Sequence, residues 1–129
     1  MMAEAIRPFR GQRVEKPWGY ELIWAHTDRY VGKILHIEPG QSLSLQYHRV
    51  KDETLCVLSG SVELEIADGD APLQRLHLQP GESILIPPGR RHRLSAPGGG
   101  DVLEASTPEL DDVVRLADRY GRGGGGEAA

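Results

Sequence analysis

Pro-Gly dipeptides at Pro39, Pro80, Pro88 and Pro97 divide most of this chain into short apolar runs. Proline presets one backbone angle and glycine then tolerates a positive φ, which is the chemistry of a tight turn rather than of a helix. Further turn signals stand at Ser59-Gly60 and Asp68-Gly69-Asp70. With 16 glycines and 9 prolines spaced as punctuation along 129 residues, the pattern predicts many short strands and an all-β architecture. Expected strands are Tyr20–Ala25, Val31–Ile37, Leu43–His48, Thr54–Leu58, Ser61–Ile66, Leu73–Leu78, Ser83–Ile86, His92–Ser95 and Val102–Ser106. Leu110, Val113, Val114 and Ala117 fall near helical spacing after Thr107-Pro108, which predicts one short helix over Leu110–Tyr120. A single domain is expected over residues 1–122, followed by a disordered glycine-rich tail, 123–129.

Composition narrows the function classes. Apolar residues at 39% can form a core, and a net charge of −4 with no dominant basic run argues against nucleic acid as a partner. The opening MMAEAIRPFR lacks the apolar centre of a signal peptide, and no later run approaches a membrane span. The expectation is a cytoplasmic protein that does not engage membranes. The lone cysteine, Cys56, sits in an apolar run and reads as an inert buried thiol.

Strand periodicity gives Leu43–His48 two faces, with Leu43, Leu45 and Tyr47 on one side and Ser44, Gln46 and His48 on the other. In a small barrel one face looks inward, and an inward polar set is costly unless it is functional or fully hydrogen-bonded. The apolar face needs cover, either from the segment around Pro17-Trp18-Gly19-Tyr20 or from a second subunit, and so a homodimer is expected.

Two blocks carry the chemistry. Gly40 is followed by Gln46, His48, Glu53 and Gly60, and, after the 20 residues from Ser61 to Pro80, Gly81 is followed by Pro87-Pro88-Gly89 and His92. In this order and spacing the blocks resemble the two motifs of the cupin superfamily, which implies a double-stranded β-helix, or jelly roll. The resemblance puts Gln46, His48, Glu53 and His92 at the four metal-ligand positions. Two imidazoles, one carboxylate and one amide oxygen suit a divalent metal, zinc first, with Fe, Mn, Co or Ni as alternatives. Such a set leaves coordination positions for water or substrate and favours Lewis-acid polarisation of a carbonyl. His26, His36 and His77 lack this frame and read as structural or surface residues.

A closer resemblance rests on Lys16-Pro17-Trp18-Gly19-Tyr20, on the run Pro39 to His48, on Ile86 to Leu94 and on Asp112-Val113-Val114-Arg115 with Asp118-Arg119-Tyr120-Gly121-Arg122. These runs look like the type II mannose-6-phosphate isomerases, in which a cupin often forms the C-terminal part of a protein that also carries a mannose-1-phosphate guanylyltransferase domain. The sequence departs from that family's pattern at Val50, Lys51 and Thr54-Leu55, and retains Glu53. The resemblance implies interconversion of mannose 6-phosphate and fructose 6-phosphate. Such chemistry needs a base, a stabiliser for the enediolate oxygens and cations for the phosphate. Lys51 and Arg122 are the catalytic candidates. Ser44, Arg90, Arg91 and Arg93 are the substrate-binding candidates, although the arginines also read as a solvated basic loop. An oxygen-dependent metallo-cupin and a noncatalytic carbohydrate-binding cupin are the competing readings.

Overall fold

The computed structural model describes residues 5–122; the glycine-rich stretch 123–129 read as a tail lies outside them, as do residues 1–4. Among the described residues twelve strands build two antiparallel sheets. In the first, β1 (Gln12–Lys16), β2 (Gly19–His26), β3 (Val31–Ile37), β11 (Gly100–Ser106), β6 (Glu53–Gly60) and β9 (Ser83–Ile86) lie side by side in that order. In the second, β12 (Val114–Ala117), β5 (Leu45–Tyr47), β10 (Arg91–Ala96), β7 (Val62–Ala67) and β8 (Gln74–Leu78) follow one another, and β4 (Gln41–Ser42) also pairs with β10. This is the all-β jelly roll the motifs imply.

Alternation explains the packing. Val31, Leu35 and Ile37 of β3, Leu55 and Val57 of β6, and Val102 of β11 point inward from the first sheet. Leu64 of β7 and Leu94 of β10 answer them from the second. Each such side chain contributes about 1.5–3 kcal/mol by leaving water. Trp18, from the turn between β1 and β2, is 2% exposed and joins this core, so the segment around it does cover apolar surface. The turn that delivers Trp18 depends on Gly19, which has φ +149° and whose missing Cβ would stand 1.9 Å from the His36 carbonyl oxygen. Only glycine lets β2 approach β3 this closely.

Three expectations change. The helix over Leu110–Tyr120 is absent: 108–113 turns irregularly and β12 follows. Val114 pairs with Tyr47 and Ala117 with Leu45, so an edge of the second sheet claims the apolar residues whose spacing suggested a helix. The two-faced strand Leu43–His48 is broken between β4 and β5, and Leu43 N instead donates to the Leu94 carbonyl at 2.9 Å. That break buries Ser44 completely and packs Leu43 against the core, on the side where Gln46 and His48 also lie. Cys56, finally, is half-buried on the outer face of β6, not in the core. Among the described residues there is no helix long and apolar enough to cross a membrane.

Trp18→Ala should lower unfolding stability by about 3–5 kcal/mol, the range for truncating a buried tryptophan. Urea denaturation of the two proteins checks this, and a change below about 1 kcal/mol would show that Trp18 does not hold the core closed.

Candidate metal centre

Between the sheets lies a cavity of about 330 Å³. Its deep side is built from residues that reach it from three directions. Gln46 and His48 come from β5 and its end, Lys51 and Glu53 from the following loop and the first position of β6, and His92 from β10. The register sets Gln46 directly opposite His92.

His48, Glu53 and His92 are buried, and a donor atom from each lies within 4.8 Å of the others. His48 Nδ1 donates to the Asp112 carbonyl at 2.6 Å and His92 Nδ1 to the Arg90 carbonyl at 2.9 Å. Protons placed on both Nδ1 atoms leave the Nε2 lone pairs free, and these face Glu53 Oε2 at 2.9 and 3.3 Å. Three electron-rich atoms converging in a buried space call for a cation between them, and imidazoles oriented through their far nitrogen are what a metal site requires. Gln46 Nε2 donates to Ser44 Oγ at 2.9 Å, which leaves its Oε1 as the ligand atom. The residues fit a divalent metal of borderline character. Ser44 therefore orients Gln46 and does not line the cavity.

The charges around this cluster alternate. Lys51 Nζ lies 2.9 Å from Glu104 Oε2 and 3.4 Å from Glu53 Oε1. Lys33 Nζ lies 3.1 Å from Glu21 Oε1, on the same inner face of the first sheet. Burial alone would lower the Lys51 pKa, but Glu104 and Glu53 outweigh it and push it up. A lysine base needs a depressed pKa, so the structure makes Lys51 a fixed ammonium and corrects the expectation of a base. Burial would raise Glu53, yet its two neighbouring imidazoles and the charge of Lys51 hold it well below its ordinary value. For Glu104 burial and the nearby Glu53 prevail over Lys51 and Lys33, and its pKa is raised.

The three arginines expected to hold substrate turn away. Arg90 pairs with Asp68 and the Leu85 carbonyl, Arg91 donates to the carbonyls of Gly69 and Ala71, and Arg93 pairs with Glu65. Period-two alternation is the cause: with His92 and Leu94 inside, Arg91 and Arg93 must be outside. Arg122 does line the cavity, held by Asp118 through Nε at 3.0 Å and Nη2 at 2.9 Å. Beside it stands Arg115 of β12, whose register partner is Gln46 and whose Nε has no hydrogen-bond partner. Sequence reasoning passed over Arg115, Lys33, Glu104 and Asp112. The signal for Lys33 and Glu104 was present: Lys33 occupies the inward position between Val31 and Leu35, and Glu104 the inward position next after Val102.

A family model described as a cupin domain matches residues 33–105. The chain is 43% identical over 117 residues to a mannose-1-phosphate guanylyltransferase of Escherichia coli K12, covering 86% of this chain and 23% of that protein. It is 36% identical over 117 residues to the xanthan biosynthesis protein XanB of Xanthomonas campestris pv. campestris, covering 86% and 24%. The chain thus spans about a quarter of the length of the curated relatives it matches. Among solved structures, KdgF from Halomonas sp. aligns with TM-score 0.66 and 21% identity over 75% of this chain and 86% of that one. Oxalate decarboxylase from Bacillus subtilis aligns with TM-score 0.73 and 15% identity over 88% and 33%. At these identities the likeness establishes the fold.

Replacing His48 or His92 by alanine should remove most bound divalent metal while the far-ultraviolet circular dichroism stays that of the parent. Elemental analysis checks this, and unchanged metal in both variants would dismiss the site.

Proposed function

The chain belongs to the cupin family, and from that premise we propose that it is a metal-dependent sugar-phosphate isomerase that interconverts mannose 6-phosphate and fructose 6-phosphate. The observation that carries this reading is one cavity that combines the His48, Glu53 and His92 cluster with the cations Lys51, Lys33, Arg115 and Arg122. Support for a mannose phosphate as the substrate class comes from the likeness to proteins named for mannose 1-phosphate. The cavity volume, about 330 Å³, lies in the range of small-molecule sites.

Aldose–ketose isomerisation moves one proton between neighbouring carbons while negative charge gathers on an oxygen. A divalent metal held by Gln46, His48, Glu53 and His92, zinc first, would supply Lewis-acid polarisation of the sugar oxygens. The chain's own residues divide the remaining work. Lys51, whose side chain is only 6% exposed, holds a positive charge where water is excluded, and there it stabilises a developing oxyanion without reorganising. Arg122, 21% exposed and already fixed by Asp118, and Arg115, with Nε free, present planar donors suited to a phosphate dianion. This pair takes the role that the sequence suggested for Arg90, Arg91 and Arg93.

The homodimer also stands as a proposal, on a surface the sequence did not indicate. The outer face of the first sheet carries a cross-strand row from Trp24, lying over Gly32, through Ala105 and Thr54 to Leu85. Trp24 and Leu85 are 51% and 65% exposed, and a second copy covering this row would remove both from water. Analytical ultracentrifugation should give a dimer that Leu85→Lys weakens; a monomer at all concentrations would reject it.

The zinc-loaded protein should convert mannose 6-phosphate and lose that activity on chelation, as a coupled assay would record. Arg115→Ala and Arg122→Ala should each raise KM about 10–100-fold, the loss of a charged hydrogen bond of about 1.5–3 kcal/mol. Metal retained with binding but no turnover would favour the carbohydrate-binding reading.

A further inference from the structure

We infer that Glu104 is the base that carries the proton between C1 and C2. This inference rests on the isomerase reading. Of the carboxylates lining the cavity, Glu53 belongs to the metal cluster, Asp111 is exposed and Glu21 is paired with Lys33, whereas Glu104 is paired with Lys51, the lysine that also contacts Glu53. Glu104 is 5% exposed and is not a ligand of the candidate metal cluster. Its Oε2 forms an ion pair with Lys51 Nζ at 2.9 Å, and Lys51 is the one partner that this buried oxygen has among the described residues. A buried carboxylate oxygen held by one cation keeps lone-pair capacity to spare, and burial makes that capacity costly to leave unused. One that lines a substrate-sized cavity is spared that cost when an O–H group of a ligand donates to it, which also brings the ligand's neighbouring C–H within its reach.

Placement supports the role. Glu104 and Glu53 both project inward from neighbouring strands, and in the β11–β6 register Glu104 faces Leu55 while Ser106 faces Glu53. Lys51 lies between the two carboxylates. A sugar bound with its C1 and C2 oxygens toward the Lys51 and Glu53 side therefore has the Glu104 carboxylate beside the same carbons.

The chemistry balances within the open-chain sugar. Glu104 takes the proton from C2, the C–H electron pair becomes the C1–C2 double bond, and the C1 carbonyl pair moves onto O1. The negative charge on O1 then faces the Lys51 ammonium. Glu104 returns its proton to C1, the O2 proton passes to O1, and C2 becomes the carbonyl carbon of the ketose. No oxidant or reductant is consumed.

The test runs the zinc-loaded parent and Glu104→Gln on mannose 6-phosphate in D2O, with proton NMR following both product and deuterium entering at carbon. The expected result for Glu104→Gln is zinc content and KM close to the parent, with kcat and deuterium incorporation lower by about 10²–10⁴-fold. A merely structural role would shift KM or zinc content instead, and Glu104→Gln with zinc bound and kcat within threefold of the parent overturns the inference. If the glutamine variant fails to fold, Glu104→Asp keeps the charge beside Lys51 and withdraws the carboxylate by one methylene. A loss of about tenfold or more in its kcat supports the assignment, since misplacement of this size is costly, and an unchanged kcat overturns it. A parent that neither turns over mannose 6-phosphate nor exchanges deuterium fails the isomerase reading itself, and the role of Glu104 falls with it.

Discussion

Asp112 holds the loop on which the whole site depends. Its carboxylate accepts the backbone N–H groups of Arg49, Val50 and Lys51 at 3.0, 2.7 and 2.8 Å, and its carbonyl accepts His48 Nδ1 at 2.6 Å. Thr107 Oγ1 accepts the next N–H, that of Asp52, at 3.0 Å. The segment between β5 and β6 contributes His48 and Lys51 and leads directly into Glu53, and all of its backbone donors from Arg49 to Asp52 are thus satisfied by residues more than fifty positions away. Burial would raise the Asp112 pKa, but these N–H groups and His48 outweigh it and lower the pKa, so the carboxylate stays charged. The same bond that orients His48 also docks the C-terminal segment, bringing Arg115 and Arg122 over the cavity.

The second constraint is electrostatic. Lys33, Lys51, Glu53 and Glu104 are each nine-tenths buried or more, and an isolated charge in such a place would cost several kcal/mol. They persist because they are paired: Lys33 with Glu21, and Lys51 with both Glu53 and Glu104. Pairing of this kind adds little to stability, since apolar residues of equal volume would fill the space as well. A row of fixed charges facing a cavity is useful for binding and reacting polar molecules, where preorganised charges act without first having to reorient. The inner face of the first sheet therefore divides into an apolar part around Ile37 and Val57 that holds the fold and a charged part around Lys51 that serves the cavity.

Gln46, His48, Glu53 and His92 were legible in the sequence because the order and spacing of the two blocks that carry them resemble the cupin motifs, and the fold brings all four to one cavity. Val31–Ile37 and Ser83–Ile86 were legible to the residue, since each is a clean run between turn signals. Arg90, Arg91 and Arg93 adjoin His92 along the chain but not in the cavity, since alternation sends Arg91 and Arg93 to the other face and Arg90 pairs with Asp68. The stretch from Leu110 to Tyr120 departs from its expected helix for a different reason. Its apolar spacing fits a helix turn, and only the vacant edge of β5 makes it a strand.

What the chain determined by itself is local: where it turns and where most of its strands run, because φ preferences and side-chain alternation act over a few residues, with the candidate ligands legible through the resemblance of their two blocks to the cupin motifs. What the tertiary structure decided is which distant residues share the cavity. Glu104 meets Lys51, Arg115 meets Gln46, and Asp112 meets His48 only once the two sheets close on each other. Those encounters depend on strand order and on the burial of charge, and neither property belongs to any short stretch of sequence.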